Sequence, residues 1–248
     1  MRTPVTTILI GLDDTDNATS RGTGHLARRL SAELAARRMR PLGVTRHQFL
    51  VDPRIPYTSH NSGACVAVEG DGAAAAAFAF DFVAASAANG SDPGVCVAEA
   101  AAVGPEAVAF GRDAGRRILR MDEAFEAARA AGLDLRALGG SGLGVIGALG
   151  SVALRAEGNE GRFIDLPGLR ELPPRVTLPA LARLGVRVEQ PSDDHPARSD
   201  DPLATLGWVR PRLAGGEAVL PVEWSDEHDA WVPVDRKRAD AGRKPADG

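Results

Sequence analysis

The feature that most constrains the chain is a short apolar run, Val5-Thr6-Thr7-Ile8-Leu9-Ile10-Gly11-Leu12, which stops against three carboxylates, Asp13, Asp14 and Asp16. A β-branched and aliphatic run bounded by turn chemistry reads as a central strand. Gly22-Thr23-Gly24 follows, then Leu26, Leu30 and Leu34, whose four-residue repeat predicts a helix over 23–39 with Arg37 and Arg38 in its last turn. A strand, an acidic turn and a glycine-rich helix start point to an α/β domain that places a ligand at the strand end.

Strands are expected at 64–69 and 94–98, flanking an alanine-rich helix over 73–88 in a strand-helix-strand unit. Helices are expected at 105–119 and 122–131, and 148–155 reads as either strand or helix. Past Pro167 the texture changes to short proline-punctuated segments and a polar loop from Gln190 to Asp201. Leu203 to Val234, with Trp208, Trp224, Trp231 and a Gly215-Gly216 turn, then reads as a small β-hairpin module. The expected organisation is a catalytic α/β domain over 1–166, a β-rich module over 167–235 and a frayed tail over 236–248. A chain of 248 residues buries a proper core without staples. Cys65 and Cys96 each lie inside an apolar run and read as buried thiols. With no cleavable leader pattern and no apolar run near the ~20 residues of a membrane helix, a soluble cytoplasmic protein with no membrane partner is expected.

A formal charge of −4 gives no overall nucleic-acid signature, although nine arginines against five acidic residues make the stretch up to Arg54 basic. Lysine occurs only at 237 and 244, which excludes a P-loop. Three crowded carboxylates repel and raise one another's pKa, so a hard cation such as Mg²⁺, shared with phosphate, is their natural partner; the plainer reading is a solvated turn. Gly22 and Gly24 clear side chains from a helix start, the geometry of an anion site, or else serve as turn residues with Thr23 as N-cap. His25, in the first helical turn, is expected to be neutral and a candidate base or nucleophile. In the polar loop 52–63, Asn61 and Gly63 are candidate nucleotide or substrate contacts, with Arg46 and Arg54 as cations. The series Gly139, Gly140, Gly142, Gly144 and Gly147 permits close approach to a ligand, tight packing or a mobile flap. Its G-x-G-x-x-G spacing lacks a preceding strand, and a dinucleotide fold is rejected.

Taken in order, Gly11-Leu12-Asp13-Asp14-Thr15-Asp16, Arg21-Gly22, Pro53-x-Ile55-Pro56-Tyr57-Thr58, Asn61 with Gly63-Ala64, Asp92-Pro93-Gly94-Val95 and Gly142-Leu143-Gly144-Val145-Ile146-Gly147-Ala148-Leu149 resemble the catalytic domain of archaeal isoleucine-tRNA agmatinylcytidine synthetase. The resemblance implies a kinase-like α/β domain with a mixed sheet. It also implies that Asp13, Asp14 and Asp16 handle magnesium and ATP, with the nucleotide lined by Thr15, Arg21, Gly22, Thr23, Gly24, Asn61, Gly63, Gly142, Gly144 and Gly147. The chain departs from the family in two ways. His25 stands where the relatives carry a threonine reported to be phosphorylated, and two distant cysteines build no Cys₄ zinc ribbon. The expectation is an ATP- and Mg²⁺-dependent phosphotransferase or ligase-like enzyme acting on a small-molecule or nucleoside-type acceptor, with His25 as base or transient phosphoacceptor. The alternatives are modification of a tRNA wobble cytidine and a nucleotide-sensing protein without turnover.

Overall fold

The computed structural model describes residues 6–56, 60–190 and 200–234. Contacts divide the chain into two units, residues 1–167 with 213–216, and 168–212 with 217–248. The first unit runs β1 (Thr6–Asp13), α1 (Thr23–Ala36), β2 (Arg40–Gln48), β3 (Ser62–Gly70), α2 (Gly72–Ser86), β4 (Gly94–Glu99), α3 (Pro105–Ala114), α4 (Met121–Ala130), β5 (Asp134–Ala137), α5 (Val145–Glu157) and β6 (Arg162–Asp165). Its strands lie in the order β5-β4-β1-β3-β2-β6. The mixed α/β class is as expected, and β1 is central, but both its neighbours run antiparallel to it. β3 and β4 are therefore parallel to each other, and α2 crosses between them over a strand inserted from earlier in the chain.

Alternation along the strands sorts two cores. Ile8, Ile10, Leu12, Val66, Val68, Val95 and Val97 face the Leu26-Leu30-Leu34 stripe of α1 and the Ala75-Ala79-Val83 face of α2. Leu9, Cys65, Ala67, Cys96 and Ala98 face α3, α4 and α5 through Ala107, Phe110, Ala124, Ala148, Leu149 and Val152. The result is a sheet covered by helices on both sides, with both cysteines buried as free thiols. His47 is also fully buried, its Nε2 2.8 Å from Thr45 Oγ1, and burial pushes its pKa down to about 3, so it is a neutral core group.

The structure corrects the expected elements at several points. α1 stops at Ala36, because Arg38 turns left-handed (φ 67°) and Met39 leads into β2, a strand not expected from the sequence. α3 ends at Ala114 rather than at 119. Residues 145–157 form a single helix, α5, closed by Gly158 in the left-handed region. Three strand glycines, Gly94 on β4, Gly11 on β1 and Gly63 on β3, bring their backbones against that helix. A Cβ on Gly11 would lie 2.0 Å from the Ala148 carbonyl oxygen, and one on Gly94 2.1 Å from the Gly144 carbonyl carbon. Glycine in a strand often marks such a close backbone approach.

The second unit holds β7 (Arg175–Thr177), α6 (Leu178–Arg183), β8 (Val186–Glu189), β9 (Pro202–Ala204), β11 (Glu217–Ser225) and β12 (Ala230–Pro233). β11 pairs antiparallel with β12 and parallel with β8, while β9 joins β12 to β7. β10 (Arg212–Ala214) gives its last two residues to the first unit, where Leu213 N–H donates to Gly161 O. No helix among the described residues is long and apolar enough to cross a membrane.

Candidate functional site

β1 delivers Asp13 to the edge of the sheet, and the chain turns at once through Asp14 in the left-handed region (φ 51°). Such a conformation costs a non-glycine residue about 1 kcal/mol or more, and aspartate is among the residues that tolerate it. Asp14 N–H donates to Asp13 Oδ1 (2.9 Å). The Asp13 carboxyl packs against the first turn of α5, so closely that a Cβ on Gly147 would lie 1.7 Å from Asp13 Oδ2. Burial pushes the Asp13 pKa up to about 7, the Asp14 N–H pulls it down, and the Asp14 and Asp16 charges add to the rise. Asp14 is pushed up to about 6, by burial first and then by Asp92 and Asp16.

Asp16 serves differently. It accepts from Thr23 N–H (3.1 Å) and Thr23 Oγ1 (2.8 Å), and Thr23 Oγ1 in turn accepts from the N–H and hydroxyl of Thr15. The anion site expected at the start of α1 is thus filled by the protein's own carboxylate, where the helix dipole favours it. Gly22 is the N-cap residue and makes no side-chain cap. Asp92, not expected as a site residue, accepts from Ser141 N–H through its side chain and from Gly144 N–H through its carbonyl, tying the glycine loop to the start of β4.

A cleft of about 210 Å³ opens at this edge. Asp13, Asp14, Asp16, Asn61, Gly144 and Gly147 line it, joined by Arg54, His60 and Arg117 and by an apolar wall that includes Phe49, Ile118, Leu119 and Ile146. The other expected contacts, Thr15, Arg21, Gly22, Thr23, Gly24, His25, Gly63 and Gly142, are not part of its lining. His25 sits on α1, its pKa lowered by burial and by Arg21, Arg28 and Arg29. Gly63 instead lies under α5, where a Cβ would meet Ser151 Oγ at 2.4 Å. Asn61 donates its amide to the Leu50 carbonyl (2.7 Å), which pins the loop before β3. Tyr57, Thr58 and Ser59 lie outside the described residues, as do residues 191–199 of the polar loop and the tail from 235.

The cleft's cations are already engaged by other carboxylates. Arg54 forks onto Asp52 and holds that carboxyl down to about 2. Arg117 bonds Asp113 and Glu123. The aspartates therefore leave the site in need of positive charge. No group of three or more His, Cys, Asp or Glu side chains among the described residues is arranged to hold a metal ion. Asp13 and Asp14 do fit as a pair of oxygen donors for a hard cation that takes its remaining ligands from water or phosphate. Because Gly147 leaves no room beside Asp13, Gly147→Ala is expected to drive that carboxyl out of place and weaken ligand binding at the cleft at least tenfold. A loss of stability of about 1–3 kcal/mol should accompany it, because the added carbon overlaps the Asp13 side chain; calorimetric titration beside urea unfolding reads both.

Fold and cleft together define an α/β protein with an acidic cleft at the end of its central strand. No family profile matches the chain, and no curated protein does. Among solved structures it is similar to that of a tRNA fluorescent labelling enzyme (26% identity, TM-score 0.52, covering 59% of this chain and 36% of that one). It is similar as well to a complex of TiaS with tRNA and ATP (25% identity, TM-score 0.52, 60% and 36%). A complex of TiaS with tRNA, AMPCPP and agmatine shares the fold at 24% identity (TM-score 0.51, 59% and 36%). The chain thus resembles tRNA agmatidine synthetase, and it spans little more than a third of the length of these relatives.

Proposed function

We propose that the first unit is the ATP-using core of a tRNA-modifying enzyme of the ligase or phosphotransferase type. The observation that carries this reading is the acidic cleft, with Asp13 and Asp14 both held well above the usual carboxylate range at the end of the central strand. The likeness to an enzyme solved with tRNA and ATP supports both the nucleotide and an RNA acceptor; the small-molecule acceptor expected from the sequence has no comparable support. Asp13 and Asp14 hold Mg²⁺, which when bound supplies charge to phosphoryl oxygens. Asp16, with Thr15 and Thr23, fixes the turn that aims those two carboxylates. Phe49, Ile118 and Leu119 wall the cleft against water. His60, which lines the cleft, is a better placed base than His25. At about 210 Å³ the cleft encloses part of a nucleotide, since ligand pockets run to about 300 Å³ and more.

Calorimetric titration with ATP and Mg²⁺ tests the reading. Binding is expected, weakened at least tenfold in Asp13→Ala and in Asp14→Ala. Absence of binding, or affinity unchanged in both variants, overturns it. Incubation with tRNA and ATP, followed by mass spectrometry of the tRNA and of the nucleotide product, tests the acceptor: an ATP-dependent mass increase is expected, and nucleotide turnover that leaves tRNA unmodified rules RNA out.

A further inference from the structure

The second unit carries a cavity of about 250 Å³ of its own, walled by Leu169, Arg170, Leu172, Thr205, Trp208 and Val209. Trp208 is flanked by two guanidinium groups, with Arg210 3.9 Å and Arg170 4.8 Å from its ring centre. A guanidinium stacked on an aromatic face keeps its N–H edge in a fixed direction, which suits two-pronged recognition of phosphate. Trp208 Nε1, shielded from solvent, has no acceptor among the described residues. A buried donor left so costs about 1–3 kcal/mol.

The loop that sets Trp208 in place is strained. Trp208 N–H donates to the Thr205 carbonyl (3.1 Å), closing a turn whose two central residues, Leu206 (φ 51°) and Gly207 (φ 89°), both have positive φ, the signature of a type I′ turn. Asparagine or glycine is favoured at the first of these positions; this chain has leucine, 54% exposed. The turn is nonetheless tied down, with Thr205 buried and its N–H donating to the Pro174 carbonyl (2.9 Å).

From this arrangement we infer that the Trp208 cavity binds a nucleotide unit of single-stranded RNA, with the phosphate on Arg170 and Arg210 and the base against the apolar wall of Leu169, Leu172 and Val209. Base and phosphate are both needed to use the features present; a phosphorylated side chain would leave the apolar half empty. The site lies wholly within the second unit and stands apart from the ATP reading of the cleft.

Tryptophan fluorescence of the whole chain, titrated with a single-stranded oligoribonucleotide and separately with millimolar ATP, tests it. The oligonucleotide is expected to quench saturably and ATP far more weakly. Arg170→Ala and Arg210→Ala should each weaken the binding at least tenfold and lower the salt slope by about 0.7. Trp208→Phe should abolish the quench, because Trp224 and Trp231 lie elsewhere in the unit. Asp13→Ala should leave the signal unchanged, so failure of the cleft reading is distinguishable from failure of this one. No quench, quench retained in Trp208→Phe, or equal quench by ATP would each overturn the assignment to RNA.

Discussion

Replacing Asp13 with asparagine is expected to stabilise the metal-free protein by about 2–4 kcal/mol at pH 8 and to abolish binding of Mg²⁺ with nucleotide. The size follows from the shift: a carboxyl raised from 3.8 to about 7 gives up about 1.4 kcal/mol per pH unit when it ionises in the folded state. The sign follows as well. A raised folded-state pKa means that the native protein holds the proton more tightly than the unfolded chain between pH 4 and 7. Stability from this group is therefore intact below about pH 4 and lost as pH rises through 7. The difference between wild type and Asp13→Asn should be near zero at pH 4, grow across that window and level off above it. Comparing the two proteins cancels His47, which acts in the opposite sense: its pKa is lowered to about 3, so its contribution is lost as pH falls below 6.5. Urea unfolding at several pH values in the presence of a chelator reads the effect. A difference that stays constant from pH 4 to 8 would mean that the Asp13 carboxyl is solvated and carries no such penalty.

The same residue shows what the sequence discloses and what it withholds. That Asp13 and Asp14 end a central strand follows from an apolar run meeting acidic residues, and the buried stripe of α1 follows from leucines four apart. Strand direction does not follow, because an apolar run looks alike from either end; only the pairing of β1 with β3 and β4 makes it antiparallel. β2 was hidden because Pro41 and Gly43 straddle a register shift against β3, which breaks the alternation that marks a strand. α5 was ambiguous because Gly147 and Gly150 lower helix propensity, yet those positions are where Asp13 and Phe49 need room. The pairing of Asp16 with Thr23 and the approach of Asp92 to Asp14 depend on which loops the fold brings together, and no local pattern encodes that. For the same reason Thr23, expected to contact the nucleotide, is seen to hold Asp16, and Thr15 to hold Thr23, while Arg117 reaches the cleft from a segment that carries no signal of its own and His60 from the polar loop that also carries Asn61.

The largest loss of stability is expected from Gly11→Ala. The added Cβ would sit 2.0 Å from the Ala148 carbonyl oxygen and 2.9 Å from a Val152 methyl. A carbonyl in the middle of a helix cannot rotate aside, so α5 must lift as a body from β1. Overfilling a packed interior in this way costs about 1–3 kcal/mol, and more where backbone rather than side chain must move, so a loss of about 3 kcal/mol is expected. Gly115→Ala is the matched comparison: its backbone is right-handed, and its nearest neighbour would lie at 3.5 Å, an ordinary contact. It should be neutral, or stabilise by up to about 1 kcal/mol through the unfolded chain. The two substitutions add the same atom, so urea unfolding of both separates the close approach from the loss of glycine itself. Because α5 carries Gly147 and follows directly on Gly144, a lifted helix also withdraws the wall behind Asp13. Gly11→Ala should therefore weaken ligand binding at the cleft even under conditions where the protein remains folded. A Gly11→Ala protein within about 0.5 kcal/mol of wild type, and with its ligand affinity intact, would show that α5 does not rest on β1 as described.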